Sequence, residues 1–417
     1  MTRTERLGAL GQWTALGTLV GVLCGVASAV FLWLLDLATA FRERNEILVY
    51  ALPFAGIILG LIYERWGKPI RAGNNLVIDT IHDNGPEIPV RMAPMVLVGT
   101  VLTHFFGGSA GREGTAVQMG ASLTDWFAHR LRVGKHTRRQ LLAAGVAGGF
   151  GSVFGTPVAG AVFGLEFIIL GRIEYDALVP ALVASVVGDM VTRGLGIGHT
   201  AYLAAPHVPL TPLLILKWVV FAAAMAAASI AFIDLTHAVK KHGEQRLKRL
   251  PVRMFVGGAV VVVLWKLVGT SDFLGLGVPV IVRAFSDPDL PVYAFALKIL
   301  FTAITVGSGF LGGEVTPLFL VGAALGSVLA RLMGIPVAAV FAAASNTPLA
   351  LSIMAMELVG ASSFPHVVIV CVLAYVMSGH RSIYPAQRLV RGKGGAGMEQ
   401  PLALRDLVGP PPPHGKA

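Results

Sequence analysis

Residues Thr14–Leu35 read TALGTLVGVLCGVASAVFLWLL, twenty-two positions without one charged side chain. A helix of about twenty apolar residues crosses the hydrocarbon core of a bilayer. Leu213–Ile233 and Phe341–Leu358 are of similar length and character. Apolar residues make up 55% of the chain and charged ones 13%, whereas soluble domains carry roughly a quarter charged residues. There is too little polar side chain to cover a water-facing surface, so the expectation is an all-α integral membrane protein. Thr115–Leu123 and Val315–Leu329 are shorter or broken apolar pieces flanked by glycine. They are expected to be helices that enter the membrane and stop partway.

The chain carries 33 Lys and Arg against 23 Asp and Glu, a net charge of +10. The excess falls in loops: Arg130, Arg132, Lys135, Arg138 and Arg139, then Lys240, Lys241, Arg246, Lys248, Arg249 and Arg253. Lys68, Arg71 and Arg91 bracket a third turn. No aromatic residues alternate with these charges, so no nucleic-acid partner is expected. The positive-inside rule explains them and puts these loops in the cytoplasm. Arg3 and Arg6 before the first apolar run are read as the start of a retained membrane helix. Cys24 and Cys371 lie in apolar runs and read as small packing residues. Neither a metal spacing nor a disulfide framework is present, so no metal or cofactor is expected. The end of the chain, VGPPPPHGKA, has the composition of a disordered tail.

The chain repeats itself. Thr156–Glu166 reads TPVAGAVFGLE and Thr347–Glu357 reads TPLALSIMAME, 191 positions on. Gly111–Thr115 reads GREGT and Gly312–Thr316 reads GGEVT, 201 positions on. Two matches in the same order argue for two homologous halves. The expected organisation is a cytoplasmic N-terminus (1–9), a first membrane repeat (10–205), a second (206–390) and a disordered tail (391–417). Transporter halves are often inverted, with the ligand site between them near the midplane.

Three stretches share one design of glycine, polar groups and a following helix: Gly73-Asn74-Asn75, Gly111-Arg112-Glu113-Gly114-Thr115 and Gly312-Gly313-Glu314-Val315-Thr316. A helix N-terminus offers unpaired N–H groups and about half a positive charge. Converging ends make an anion site without a fixed cation. Glu113, when ionised, is itself an anion and can fill that site. When protonated, it should release it to a free anion. One group would then gate the anion and carry a proton.

GNNLV at Gly73, GREGT at Gly111, GEVTP at Gly313 and RSIYPA at Arg381 stand in the order of the motifs of the CLC family of chloride channels and proton-coupled anion exchangers. The first three usually read GSGIP, GREGP and GxFxP. The chain resembles that family over about residues 10–390. The resemblance implies the CLC-type fold of two inverted-topology repeats with broken and re-entrant helices. It also implies a homodimer with one pathway per subunit, Glu113 as the external gate and Tyr384 at the inner end of the pathway.

Asn74 replaces the usual serine, Thr115 the proline after GREG, Val315 the phenylalanine and Glu314 an apolar residue. Together these changes resemble the fluoride-specific branch, fluoride/proton antiporters of microbes. What this implies is fluoride export across a prokaryotic cytoplasmic membrane, with protons as the coupled ion. The alternatives are a chloride/proton exchanger or a passive anion channel. Asn74 offers two amide donors where serine has one, and Thr316 could add a hydroxyl. Either could instead serve its own helix, Asn74 as a cap and Thr316 on its own backbone. Donor counting alone does not choose fluoride over chloride; the resemblance does.

Glu314 is expected to pair with Lys298, with donation to the anion or proton relay as its other uses. Glu166 falls one position before the place where the family's chloride exchangers carry a proton-relaying glutamate, and Phe167 occupies that place. Glu166, Glu314 and water are therefore the candidates for an inner proton route. Gly107–Gly111 is formally G-x-S-x-G with His104 nearby, so a remote further reading is a serine hydrolase at Ser109. The chain is otherwise not expected to be an enzyme.

Overall fold

The computed structural model describes residues 2–408 except 84, 286, 288–289, 335–345, 392 and 394–396. The first half contains α1 (Arg3–Arg44), α2 (Leu52–Arg65), α3 (Asn74–Asp83), α4 (Met92–Phe105), α5 (Glu113–Arg130), α6 (Lys135–Phe154), α7 (Pro157–Glu166) and α8 (Leu178–Gly194). The second contains α9 (Pro212–Arg246), α10 (Leu250–Val268), α11 (Val278–Ala284), α12 (Ala294–Gly307), α13 (Val315–Met333), α14 (Pro348–Val359) and α15 (Phe364–Met377).

Among the described residues six helical stretches are long and apolar enough to cross a bilayer: α1, Glu46–Arg65, Tyr175–Gly194, α9, α10 and α13. The runs Thr14–Leu35 and Leu213–Ile233 lie inside α1 and α9. The Phe341–Leu358 run begins outside the described residues, and its described part is the twelve-residue α14. The two broken runs are corrected: Thr115–Leu123 lies within an 18-residue helix and Val315–Leu329 within a 19-residue one. Gly322 and Gly326 do not interrupt α13, because 83% of its apolar window is buried and tight neighbours suit small residues. Among the helices too short to cross, α3, α7 and α14 have ten, ten and twelve residues and rise about 15–18 Å.

Close backbone approach sets the packing. Gly17, Gly21 and Gly25 of α1 face the carbonyls of Pro180, Ala184 and Gly188 of α8 in the same order, so these helices run parallel. Gly145 and Gly149 of α6 face Gly120 and Ala116 of α5 in reverse order, so that pair is antiparallel. A Cβ at Gly21 would stand 2.8 Å from the Ala184 oxygen. The four-residue glycine spacing therefore reports helix contact rather than chain flexibility.

The inverted halves meet through reciprocal contacts. The Gly111 N–H donates to the Gly313 carbonyl at 2.6 Å, and the Gly313 N–H donates back to Gly111 at 2.8 Å. The Glu166 carboxylate, at the end of α7, accepts from the Leu349 and Ala350 N–H groups at the start of α14 (3.3 and 2.8 Å). Glu357, near the end of α14, accepts from Val158 and Ala159 at the start of α7 (2.9 and 2.8 Å). Each of these contacts from one half to the other has its mirror contact back, the signature of a two-fold axis between antiparallel copies. The repeated Thr-Pro-to-Glu segments thus bind each other, each glutamate compensating the partner's exposed helix end.

Three short strands complete the fold: β1 (Ile169–Leu170), β2 (Arg388–Arg391) and β3 (Gly397–Ala403). β1 pairs in parallel with β2, and β2 antiparallel with β3. The disorder expected for 391–417 is therefore corrected over Gly397–Val408, which forms β3 and a 3-10 turn. Leu389 and Leu404 pack on Leu170 there, giving the segment a small apolar anchor. The proline run itself, from 409 onward, lies outside the described residues.

Candidate anion site

The N-termini of α5 and α13 point at one buried spot, held together by the Gly111–Gly313 pair. The Glu113 carboxylate fills it. Its Oε1 accepts from the Val315 N–H at 2.6 Å. Its Oε2 accepts from the Thr316 N–H (3.2 Å), the Thr316 hydroxyl (2.8 Å) and the Arg112 N–H (3.0 Å). The residue is 1% exposed. Four donors and two helix ends on one carboxylate form an anion-binding cradle occupied by the protein's own anion.

Beside it, α3 brings Asn74 against Gly114. A methyl group at Gly114 would stand 3.1 Å from Asn74 Nδ2 and equally close to Gly313 Cα, so a side chain there would have to push one of them aside by a few tenths of an ångström. The Asn74 amide makes no hydrogen bond among the described residues, and its Oδ1 is buried. It is not used to cap α3. Gly73, at φ +58, turns the chain into α3. The Thr115 hydroxyl pairs with Thr100 at 2.6 Å. Asn75 differs from expectation: its Oδ1 accepts from the Ala386 N–H at 3.0 Å, which ties α3 to the Tyr384 segment. The Arg112 guanidinium lies 5.6 Å from the Phe154 ring centre, so its backbone, not its side chain, reaches the carboxylate.

A cavity of about 770 Å³ opens to the surface from beside this spot, where Asn74, Thr115 and Glu314 line it. Asn74, Asn75, Thr115, Glu314 and Tyr384 line its depth, and the exposed Lys68, Arg71, Lys240 and Lys241 its mouth. Two of the three basic loops expected on one side of a membrane thus contribute to the rim of the cavity; the loop of Arg130–Arg139 does not line it. Tyr384 is 3% exposed and packs edge-on against Phe167, 4.8 Å between ring centres. Gln118, which sequence reasoning missed, also lines the cavity, 3.4 Å from where a Gly73 Cβ would sit. Its signal was present, since Gln118 shares a face of α5 with Gly114 at i, i+4 spacing.

Two expected roles change. Lys298 does not pair with Glu314. It is fully buried and donates to the carbonyls of Gly275 (2.8 Å) and Phe273 (3.3 Å), because α12 presents it to that loop. Glu314 occupies the N-cap position of α13 and lines the cavity, and its side chain makes no hydrogen bond or ion pair to a described residue. Glu166 is engaged on α14, and the neighbouring position is filled by the buried Phe167. The Ser109 constellation does not assemble either. Its hydroxyl pairs with Thr302 at 2.9 Å, while the His104 ring nitrogens face the carbonyls of Thr100 and Ala110.

A family described as voltage gated chloride channel matches residues 55–379. The "Chloride/fluoride channel protein" of Pseudomonas syringae pv. tomato is 43% identical, covering 97% of this chain and 93% of its own length. The crystal structure of a CLC-type fluoride/proton antiporter superposes with a TM-score of 0.88 at 35% identity, over 93% of this chain and all of that one. A slow cyanobacterial Cl⁻/H⁺ antiporter shares the fold at 19% identity, with a TM-score of 0.76 over 88% of this chain and 94% of its own. With its paired helix ends, reciprocal halves and these likenesses, the chain belongs to the CLC family of multi-pass membrane proteins that includes the voltage-gated chloride channels.

Proposed function

We propose that this protein is a fluoride/proton antiporter of a prokaryotic cytoplasmic membrane, working as a homodimer with one pathway per subunit. The observation that carries the reading is the Glu113 carboxylate seated on the N–H groups of Val315 and Thr316. Its place in the anion pathway makes it a gate, and its chemistry makes it a proton carrier. Protonation removes the charge that the helix ends hold, so the side chain leaves and the donors accept a free anion. Fluoride is small and strongly hydrated, so it needs close donors in place of water. The Thr316 hydroxyl and the unengaged Asn74 amide supply them beside those N–H groups.

The fluoride assignment is supported by the P. syringae relative, which is described as handling chloride and fluoride, and by the antiporter structure. Glu314 is the better candidate for a second proton group. It lines the cavity without a partner among the described residues, whereas Glu166 is committed to α14. By the positive-inside rule the basic rim supports a cytoplasmic cavity mouth; in this reading fluoride enters there and protons moving inward drive it out. In proteoliposomes, Glu113→Gln is expected to abolish proton movement coupled to fluoride. Intact proton-coupled transport in that variant would refute the gate assigned to Glu113.

A further inference from the structure

We propose that the chain after Tyr384 is a cytoplasmic strap that holds α3 in register for anion binding, with Arg405 and Arg388 as positioning residues. The inference rests on the anion site assigned to Asn74.

α3 has ten residues and buries Val77, Ile78, Thr80 and Ile81 along one face. Its N-terminus carries Asn74, while Asp79 and Asp83 lie toward its C-terminal end. Acidic residues there oppose the helix dipole and destabilise an isolated helix. The strap supplies the missing cations. Arg405 grips Asp79 through two nitrogens, Nη1 at 2.9 Å and Nη2 at 3.0 Å. Arg388 Nη2 reaches Asp83 at 2.8 Å and Asp79 at 3.5 Å. At the other end of α3, the Ala386 N–H donates to Asn75 Oδ1. One short stretch of chain therefore grips both ends of the helix that carries Asn74.

The strap is itself anchored. Arg405 N–H donates to the Pro385 carbonyl at 2.9 Å and Leu404 N–H to Gln387 at 3.0 Å, which closes the hairpin onto the Tyr384 segment. The Gln387 amide donates to the Phe167 carbonyl at 3.0 Å, and β2 pairs with β1. Lys393 donates to Tyr375 O (2.7 Å) and Asn346 Oδ1 (2.8 Å). A single exposed ion pair contributes little to stability. A forked arginine–carboxylate contact shared with a second arginine fixes direction as well as distance. That direction matters here, because Asn74 meets Gly114 with no room to spare.

The test is proteoliposome transport over a range of internal fluoride and chloride, in wild type, Arg405→Ala, Arg405→Lys and Asp83→Asn, with melting temperature read in parallel. Arg405→Ala is expected to raise the fluoride KM roughly five- to tenfold with kcat within about twofold, the signature of a displaced binding group. Arg405→Lys should recover part of that loss, since it keeps the charge but not the fork. Asp83→Asn should raise KM less, because Arg405 does not bind it. Combined with Asn75→Ala, the effect of Arg405→Ala should be less than additive, both acting through α3. A lowered melting temperature with unchanged fluoride KM would make the strap purely structural and overturn the proposal, as would full additivity. If wild type moves chloride but not fluoride, the fluoride reading fails. The same KM comparison then runs on chloride, and the strap stands or falls by it.

Discussion

The donors that hold the Glu113 carboxylate are the ones the proposed mechanism assigns to fluoride. Thr316→Val removes the 2.8 Å hydroxyl bond to Glu113 but leaves the three backbone donors. A hydrogen bond to a charged group contributes about 1.5–3 kcal/mol, so fluoride KM should rise roughly tenfold or more. Asn74→Ser halves the donors offered from α3. It should reduce the fluoride-over-chloride flux ratio while leaving total anion flux measurable; an unchanged ratio would remove Asn74 from selectivity. The place of Glu113 at the start of its own helix was legible in the sequence, because its glycines and helix end lie within five residues, whereas the α13 donors lie 202 and 203 positions away. The Glu314–Lys298 pairing was misjudged for the opposite reason. Both residues precede or sit in adjacent helices, but only the fold shows α12 turning Lys298 to the carbonyls of Phe273 and Gly275. Asn75 likewise has a partner, Ala386, 311 residues away in the chain.

Among the elements, α7 and α14 form the most direct test of the two-fold relation. Each glutamate accepts two N–H groups at the other helix's first turn. Glu166→Gln and Glu357→Gln should each cost about 1 kcal/mol or more of stability through the lost charge at a helix end. Their effects should be similar, as equivalent positions require. The readout is the melting temperature in detergent. Glu166→Gln should keep proton-coupled fluoride transport; loss of coupling with normal folding would instead make Glu166 part of the proton route. The repeat itself was visible in sequence as Thr-Pro and Glu at equal offsets, though nothing there showed that the two copies bind each other. The helix extents were less legible. Internal glycines made α13 read as broken, while the surrounding helices make it continuous. The C-terminal hairpin was hidden by its composition. Glycines and prolines around it outweigh three leucines, Leu170, Leu389 and Leu404, whose contact depends on chain ends far apart in sequence.

For the whole molecule, two inverted halves set the N-termini of α5 and α13 on one buried carboxylate with α3 beside them, and a cavity with a basic rim opens next to it. In the mechanism proposed here, an anion enters from the rim side only when Glu113 gives up its place, which makes anion exit and proton entry one event. The most direct test uses proteoliposomes loaded with fluoride in an otherwise fluoride-free bath, with anion efflux and proton uptake recorded together and the membrane potential clamped. The account predicts that the outward fluoride gradient drives protons inward against their own gradient, and that an imposed proton gradient pumps fluoride. Fluoride efflux that runs down with no proton movement would contradict it, leaving a channel in which Glu113 is a gate and nothing more.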